Sequence, residues 1–478
     1  MVPCKGWALS VESSTASMKN HRSSDVEQTR PRLVVPALVL LAFLAVCSHL
    51  EPRVSDHDRR MAWWREARVG LFVHWGLYSI PAGEWNGQRT AGLGEWIQKD
   101  LRIPAAEYDQ LVSRFTVVSF DAASWARLAR QSGVRYVVIG TKHHEGFALW
   151  DSQVSDFDVA AAPVRRDLLY ELSNAFRREG LQVGYYYSIM DWHHQDAQGR
   201  YFPDYEGKRN PDWGRYATSF MKPQLAELLQ NHGPVSVLWF DGEWIDEWDD
   251  DQGWDLYHFI RTLQPDIIVN DRVGKGRAGL SGSPASSTSP GDFGTPEQTV
   301  PETGLPGVDW ETCMTMNDTW GYKSFDQNWK SPQTLIRTMI DVASKGGNFL
   351  LNVGPTPEGT FPLPSIERLE ALGRWLGENG EAIYGTSASP TAAPIWGRMT
   401  RKTGNLYLHV FQWPASGTLE VPLLVSVRRA YFLSDPSKTP LSVSTSARGL
   451  TIAVPPTAPD PIATVIALDI EDEPNPVP

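Results

Sequence analysis

Cysteine is nearly absent: the 478 residues include only Cys4, Cys47 and Cys313. Cys4 and Cys47 fall in or before an N-terminal targeting segment, so Cys313 stands alone in the body of the chain. One thiol makes neither a disulfide framework nor a cysteine-based zinc site. Basic charge is also short. The formal net charge is −12, which leaves no basic face for a nucleic-acid partner. No HExxH-type pattern occurs, and in the pairs His143-His144 and His193-His194 adjacent side chains on an extended chain point oppositely, so neither pair chelates easily. Long apolar runs are scarce as well. Residues 33–47, "LVVPALVLLAFLAVC", are short for a membrane span and follow Lys19, Arg22, Arg30 and Arg32, the layout of a signal peptide. Ala45 and Cys47 suit a nearby cleavage site, and Met18 is an alternative start. The expectation is export to periplasm, surface or medium, with a retained N-terminal anchor as the alternative and no other stable membrane partner.

Tryptophan and glycine are plentiful, at 20 and 39 residues. Indole faces suit the apolar faces of sugar rings, although many will simply be core. From residue 60 an order repeats: an apolar run, a loop with unusual polar residues, then an amphipathic helix. The runs are "VGLFVHWG" (69–76), "VRYVVIGTKHHEGFALW" (134–150), "LQVGYYYS" (181–188), "PVSVLWFDG" (234–242), "DIIVNDR" (266–272), "DWETCMTM" (309–316) and "GGNFLLNVGP" (346–355). Continuous apolar runs of this kind fit strands buried on both faces. Between them, Asp121 and Asp167 start helices that Gly133 and Gly180 end, and residues 213–232 and 331–345 read the same way. The alternation predicts an α/β fold, a (β/α)8-like TIM barrel over 55–385. Residues 1–50 form an extension that precedes it, and 273–308 a long Gly/Ser/Pro-rich loop. Short alternating segments over 390–472 predict a small C-terminal all-β sandwich.

The polar residues that interrupt this pattern cluster at strand ends: His74, then His143 and His144, then Tyr187 and Asp191, then Asp241, then Arg272. In a barrel those ends converge on the face where active sites form. Glycoside hydrolysis with retention needs two carboxyl groups, one to attack the anomeric carbon and one to protonate the leaving oxygen. Asp241, short and fixed on a strand among aromatics, suits the attacking role. Asp292 and Glu297 in "GDFGTPEQ" and Glu311 in "WE" are all candidates for the other.

Taken in order, "GLFVHWGLYSIPAGEW", "TKHHEGFALWDS", "YYYSIMDW", "LWFDG", "VNDR", "DFGTPE", "WETCMTMNDTWGY" and "KGGNFLLNVGP" resemble the motifs of the glycoside hydrolase family 29 α-L-fucosidases. The resemblance covers roughly residues 58–385 and extends to the β module. It implies release of terminal α-L-fucose from glycans through a covalent fucosyl-enzyme, with Asp241 as nucleophile, Glu297 as acid/base, and no metal or organic cofactor. Asp292 and Glu311 stand as alternative acid/bases. His74, Glu95, Trp96, His143, His144, Tyr187, Trp239 and Arg272 match positions that hold the sugar, and Phe72 and Trp320 match aromatics around its methyl group. The partners implied are fucosylated glycans or glycoconjugates. The alternatives are a non-catalytic glycan-binding protein and a retaining hydrolase of a related sugar such as galactose.

Overall fold

Seven of the apolar runs become parallel strands of one curled sheet. They are β1 (Val69–Val73), β2 (Tyr136–Lys142), β3 (Gln182–Ser188), β4 (Val237–Asp241), β5 (Ile268–Val269), β6 (Glu311–Thr315) and β7 (Asn348–Val353). The order across the sheet is β5-β4-β3-β2-β1-β7-β6. This is a computed structural model, and it describes residues 54–197, 212–275 and 289–476. The apolar run at 33–47, and the signal-peptide reading placed on it, lie outside the described residues.

An irregular segment inside the predicted long loop joins the two edges of the sheet. Parallel bridges pair Asn270 with Phe293, Gly294 with Trp310, and Glu297 with Cys313. The amides of Asp271, Glu311 and Cys313 donate to the carbonyls of Phe293, Gly294 and Pro296 at 2.9, 2.9 and 3.2 Å. Pro296 has no amide hydrogen, so a regular ladder cannot run through here. Residues 292–298 thus stand in for an eighth strand, and they carry Glu297.

Side chains alternate across each strand, so one parity fills the barrel and the other meets the helices. The inner set includes Phe72, Tyr136, Val138, Tyr186, Trp239, Cys313 and Leu350, packed as a cluster of its own. The outer set, among them Leu71, Val137, Tyr185, Phe240 and Leu351, packs with the helices in the main core. Those helices start where the sequence places caps. Asp121 accepts from the Ala123 amide at 2.9 Å and Asp167 from the Tyr170 amide at 2.7 Å, opening helices Ala122–Gln131 and Leu168–Arg178. The predicted helix over 213–232 contains a π-turn at Ala217–Met221, just before Pro223; proline lacks the amide a regular turn would use.

The C-terminal strands form the predicted sandwich. Its four-stranded sheet consists of β8 (Gly397–Lys402), β9 (Asn405–Val410), β11 (Val427–Phe432) and β14 (Thr464–Ile470), and its three-stranded sheet of β10 (Thr418–Val421), β12 (Val443–Ser446) and β13 (Gly449–Ala453). Leu406, Leu408, Ile466 and Leu468 face Leu419, Leu450 and Ile452 across the sandwich core. The other face of the larger sheet, with Tyr407, Val465 and Ala467, packs into the barrel's helical core, where Trp375 donates to the Ala463 carbonyl at 3.1 Å.

Candidate active site

A cavity of about 340 Å³ opens beside the C-terminal ends of the strands. That is near the lower end of the range of about 300–1,000 Å³ usual for small-molecule sites, a size for one small ligand with a short extension. Asp241 is there because β4 ends on it and its parity is inward, shared with Trp239. The next residue, Gly242, has a φ of +87°, and a Cβ on it would lie 2.9 Å from the Met190 amide nitrogen. Only glycine turns the chain away there without strain.

Arg272 organises the two carboxylates. It follows β5 and lies over the Trp239 ring, 4.4 Å from its centroid. Nη1 donates to Asp241 Oδ1 at 2.6 Å, Nη2 to Glu297 Oε2 at 2.9 Å, and Nε to Thr295 Oγ1 at 3.0 Å. Burial opposes the guanidinium's charge, but Asp241 and Glu297 outweigh it and hold Arg272 protonated, with its pKa raised well above the ordinary value. The other oxygen of Asp241, Oδ2, accepts from Tyr186 Oη at 3.1 Å. Glu297 is followed by Gln298, which takes a left-handed φ of 57°, a conformation of some energetic cost for a residue with a side chain. The Gln298 side chain donates to Thr315 Oγ1 at 3.0 Å, which ties the segment to β6.

The histidines are held neutral, and His74 and His144 each have a defined tautomer. Asn352 Nδ2 donates to the Trp320 carbonyl at 2.8 Å, so its Oδ1 accepts from His74 Nδ1 at 2.7 Å. Ser188 donates to the Met190 carbonyl and therefore accepts from His144 Nδ1 at 2.6 Å. In both rings Nε2 is left as an acceptor. That of His144 is 3.6 Å from Asp241 Oδ2, too far for a direct hydrogen bond. Burial lowers the pKa of His74 to about 4 and puts those of His143 and His144 well below the ordinary histidine value. His143 Nδ1 is buried with no hydrogen-bond partner among the described residues, and so is Glu95 Oε1. Both residues line the cavity, and orphaned buried polar atoms at a pocket call for a polar ligand.

His143 and His144 both reach the cavity because β2 has already ended. Residues 143–146 form a turn, closed by the Gly146 amide on the His143 carbonyl at 3.0 Å, and the two rings lie 4.2 Å apart. The opposite orientation expected for neighbours on an extended chain does not apply to a turn. His193 instead stacks on Phe157, 3.9 Å between centroids, and His194 packs on Phe220.

Of the other residues singled out, Phe72, Trp96, Trp239 and Trp320 line the cavity. Phe72 lies 5.0 Å from Trp239 and 6.0 Å from Trp320 between ring centroids, so the three build an apolar wall. Glu95 accepts from the Gly321 amide at 2.8 Å, and burial raises its pKa to about 7. Tyr187 lies elsewhere. Its parity is outward, and its hydroxyl donates to Gln224 at 2.8 Å. The inward tyrosine of "YYY" is Tyr186. Asp191 also sits outside the cavity, buried against Lys142 at 2.8 Å. Asp292 is committed elsewhere, accepting from Arg60 at 2.8 Å, Tyr257 at 2.9 Å and the Val269 amide at 2.9 Å. Glu311 lies inside the barrel, accepting from Tyr136 and, at 3.2 Å, from Trp239 Nε1; burial raises its pKa to about 7. Neither Asp292 nor Glu311 lines the cavity; Glu297 does.

Four lining residues were not picked out beforehand: Tyr186, Leu93, Trp244 and Cys313. Strand parity finds Tyr186 and Cys313, which share faces with Ser188 and Glu311. Among the described residues no three His, Cys, Asp or Glu side chains are grouped to hold a metal ion.

One carboxyl beside the site makes stability depend on pH. Glu145 accepts from the Leu77 amide at 2.8 Å and from Tyr108 Oη, tying the histidine turn to the loop after β1. Burial raises its pKa from 4.5 to about 8. A folded-state pKa above the unfolded one means the native state holds the extra proton, so this contribution is complete below about pH 4.5 and lost as pH rises to about 8. Denaturant titrations across that window should show wild-type stability falling with pH. Glu145→Gln, which mimics the neutral acid, should flatten the slope.

Comparison with known proteins adds a family. A family model described as alpha-L-fucosidase matches residues 45–381. The tissue alpha-L-fucosidase of Bos taurus is 32% identical over 433 residues, covering 86% of this chain and 88% of that protein. The plasma alpha-L-fucosidase of Homo sapiens is 32% identical over 401 residues, covering 78% and 81%. Among solved structures, alpha-L-fucosidase isoenzyme 1 from Paenibacillus thiaminolyticus superposes with a TM-score of 0.77 at 36% identity, covering 87% of this chain and 100% of that one. A GH29 alpha-L-fucosidase from Bacteroides thetaiotaomicron, solved as a trapped covalent intermediate with 2-fluoro-fucosyl fluoride, gives 0.79 at 32% identity, covering 87% and 97%.

Proposed function

This chain belongs to the alpha-L-fucosidase family, and from that premise we propose that Asp241 and Glu297 divide the two steps of fucoside hydrolysis between them. The protein is a glycoside hydrolase that removes terminal α-L-fucose with retention of configuration. Asp241, ionised and aimed by Arg272 and Tyr186, attacks the anomeric carbon, and the bond to the leaving oxygen breaks as protonated Glu297 donates to it. The ester to Asp241 is then opened by water, from which Glu297 takes back a proton. The observation that carries this reading is the single guanidinium that bonds both carboxylates. It suits the shorter separation, about 5–5.5 Å, that retention uses.

The sugar's hydroxyls have complementary partners. Nε2 of neutral His74 and His144 accepts, as does Glu95, and the ring of His143 offers a further polar atom. Phe72, Trp239 and Trp320 present an apolar wall to the methyl group of fucose. A 6-hydroxyl placed there would lose its hydrogen bonds, at about 1–3 kcal/mol, which favours fucose over galactose. The barrel over 55–385 is read as the catalytic domain and the sandwich over 390–472 as a second domain bracing it. Export is supported by the basic-flanked apolar run at 33–47 and by the existence of a plasma relative.

Turnover of an aryl α-L-fucoside followed by proton NMR is the test. The first sugar released should be the α-anomer, which mutarotates afterwards. Binding of fucose without hydrolysis would instead make the protein a glycan reader.

A further inference from the structure

Glu297 sits on a segment without a strand's regular ladder, so side chains have to set its position. At the entry to that segment Asp292 is held by every polar atom it has. Its buried carboxylate accepts through Oδ1 from Arg60 Nη2 at 2.8 Å and Tyr257 Oη at 2.9 Å, and through Oδ2 from the Val269 amide at 2.9 Å. Its own amide donates to the Val269 carbonyl at 2.6 Å, and its carbonyl accepts from His57 Nε2 at 3.2 Å. Phe293 follows, packed on Trp64 with 4.9 Å between ring centroids. His57, Arg60 and Trp64 recur at the spacing of one helix face, on the helix Asp56–Ala67 that precedes β1. Arg60 is buried as well, and Nη1 donates to the Ile267 carbonyl at 3.2 Å, next to β5. One helix therefore grips the entry of the Glu297 segment and the neighbouring strand together.

We propose that Asp292 is a positioning residue for Glu297, through which the helix Asp56–Ala67 sets where the proton is delivered. The inference rests on the fucosidase reading of the pocket. Stability alone does not account for the contact, because a buried ion pair is often no better than a well-packed apolar pair. What its charged hydrogen bonds supply is direction. Beyond Phe293 the backbone bridges of the segment run to the β6 side, Gly294 to Trp310 and Glu297 to Cys313. On the β5 side the Thr295 hydroxyl donates to Asp271 at 2.7 Å. With Asp292 released, the entry can pivot about β6 and carry Glu297 away from the leaving oxygen. A displacement of about 1 Å in a catalytic group costs about 100-fold in rate.

Leaving groups separate this role from plain support of the fold. In kcat/KM, which reports formation of the ester on Asp241, phenyl α-L-fucoside needs the proton of Glu297 and the dinitrophenyl fucoside does not. Asp292→Asn keeps the shape and removes the charge. It should lower kcat/KM on the phenyl substrate by about 100-fold and leave the dinitrophenyl substrate nearly unaffected. If that variant does not fold, Tyr257→Phe, which removes one hydrogen bond and keeps the ion pair, should show the same bias at about tenfold. On a Glu297→Ala background the Asp292 or Tyr257 substitution should cost nothing further on the phenyl substrate, since a positioning residue acts through its partner. Equal losses on both substrates, no loss on either, or a full further loss on the Glu297→Ala background would overturn the proposal. Wild-type protein that cleaves neither substrate would bring down the fucosidase reading itself, and the positioning role with it.

Discussion

Asp241→Gly should lower kcat on an aryl α-L-fucoside by about 10,000-fold or more, roughly 5 kcal/mol of transition-state stabilisation. The reason is positional. No other carboxylate is on β4, Glu297 is held by the other terminal nitrogen of Arg272, and Glu311 is engaged inside the barrel by Tyr136 and Trp239. The truncation leaves an anion-sized gap beside the Arg272 guanidinium, which azide can enter. Azide then attacks the anomeric carbon from the face Asp241 used, the aryloxide leaves with the proton of Glu297, and the product is β-L-fucosyl azide. Recovery of activity with that inverted product identifies the residue as the nucleophile. A variant that retains a tenth of wild-type turnover would not fit the assignment. The protein should still fold, because Arg272 keeps Glu297 and Thr295 as partners.

Glu297→Ala should behave differently in each of its properties. Loss of a general acid costs about 100–10,000-fold, and the cost grows with the pKa of the leaving group. An unreactive sugar alcohol should therefore suffer most and a dinitrophenyl fucoside least, since dinitrophenolate departs without a proton. With the activated substrate the first step survives and the second, deprived of its base, becomes limiting. Azide opens the Asp241 ester from the opposite face, so the product is α-L-fucosyl azide. The opposite anomers from the two variants are a check that a merely structural role for either residue would not pass. If Glu297→Ala lost the same factor on every leaving group, the proton donor would lie elsewhere.

Much of this was readable in the chain because barrel strands announce themselves. Each apolar run became a strand, and His74, His143, His144, Asp241 and Arg272 at the strand ends fell on one face, while Tyr187 and Asp191 did not. What escaped the reading did so for local reasons. Tyr187 was taken from a row of three tyrosines, but only one parity faces inward, and Ser188, whose hydroxyl orients His144, marks that parity as belonging to Tyr186. The His143-His144 pair was judged on extended geometry, whereas both belong to a turn that a strand pattern does not predict. Glu297 was legible from the pattern only as one of three candidates, and the family resemblance alone singled it out. It sits on an irregular segment that takes the place of a strand, with a proline inside it and no apolar periodicity to reveal it. Asp292 is five residues away and looks equivalent in sequence; what separates them is Arg60 and Tyr257, long-range partners that no local pattern names. Trp244 reaches the cavity by way of the left-handed turn at Gly242, which no strand pattern reveals.

The central claim is that the enzyme passes through an ester on Asp241. Incubation with 2-deoxy-2-fluoro-fucosyl fluoride should trap that species, because the 2-fluorine slows both its formation and its breakdown while the good fluoride leaving group restores its formation alone. Proteolysis and mass spectrometry should then find the fluorofucosyl adduct on the peptide spanning "LWFDG", with fragmentation assigning it to Asp241. An adduct on Glu297 or on Glu311, or steady turnover of the reagent with no adduct at all, would contradict the account.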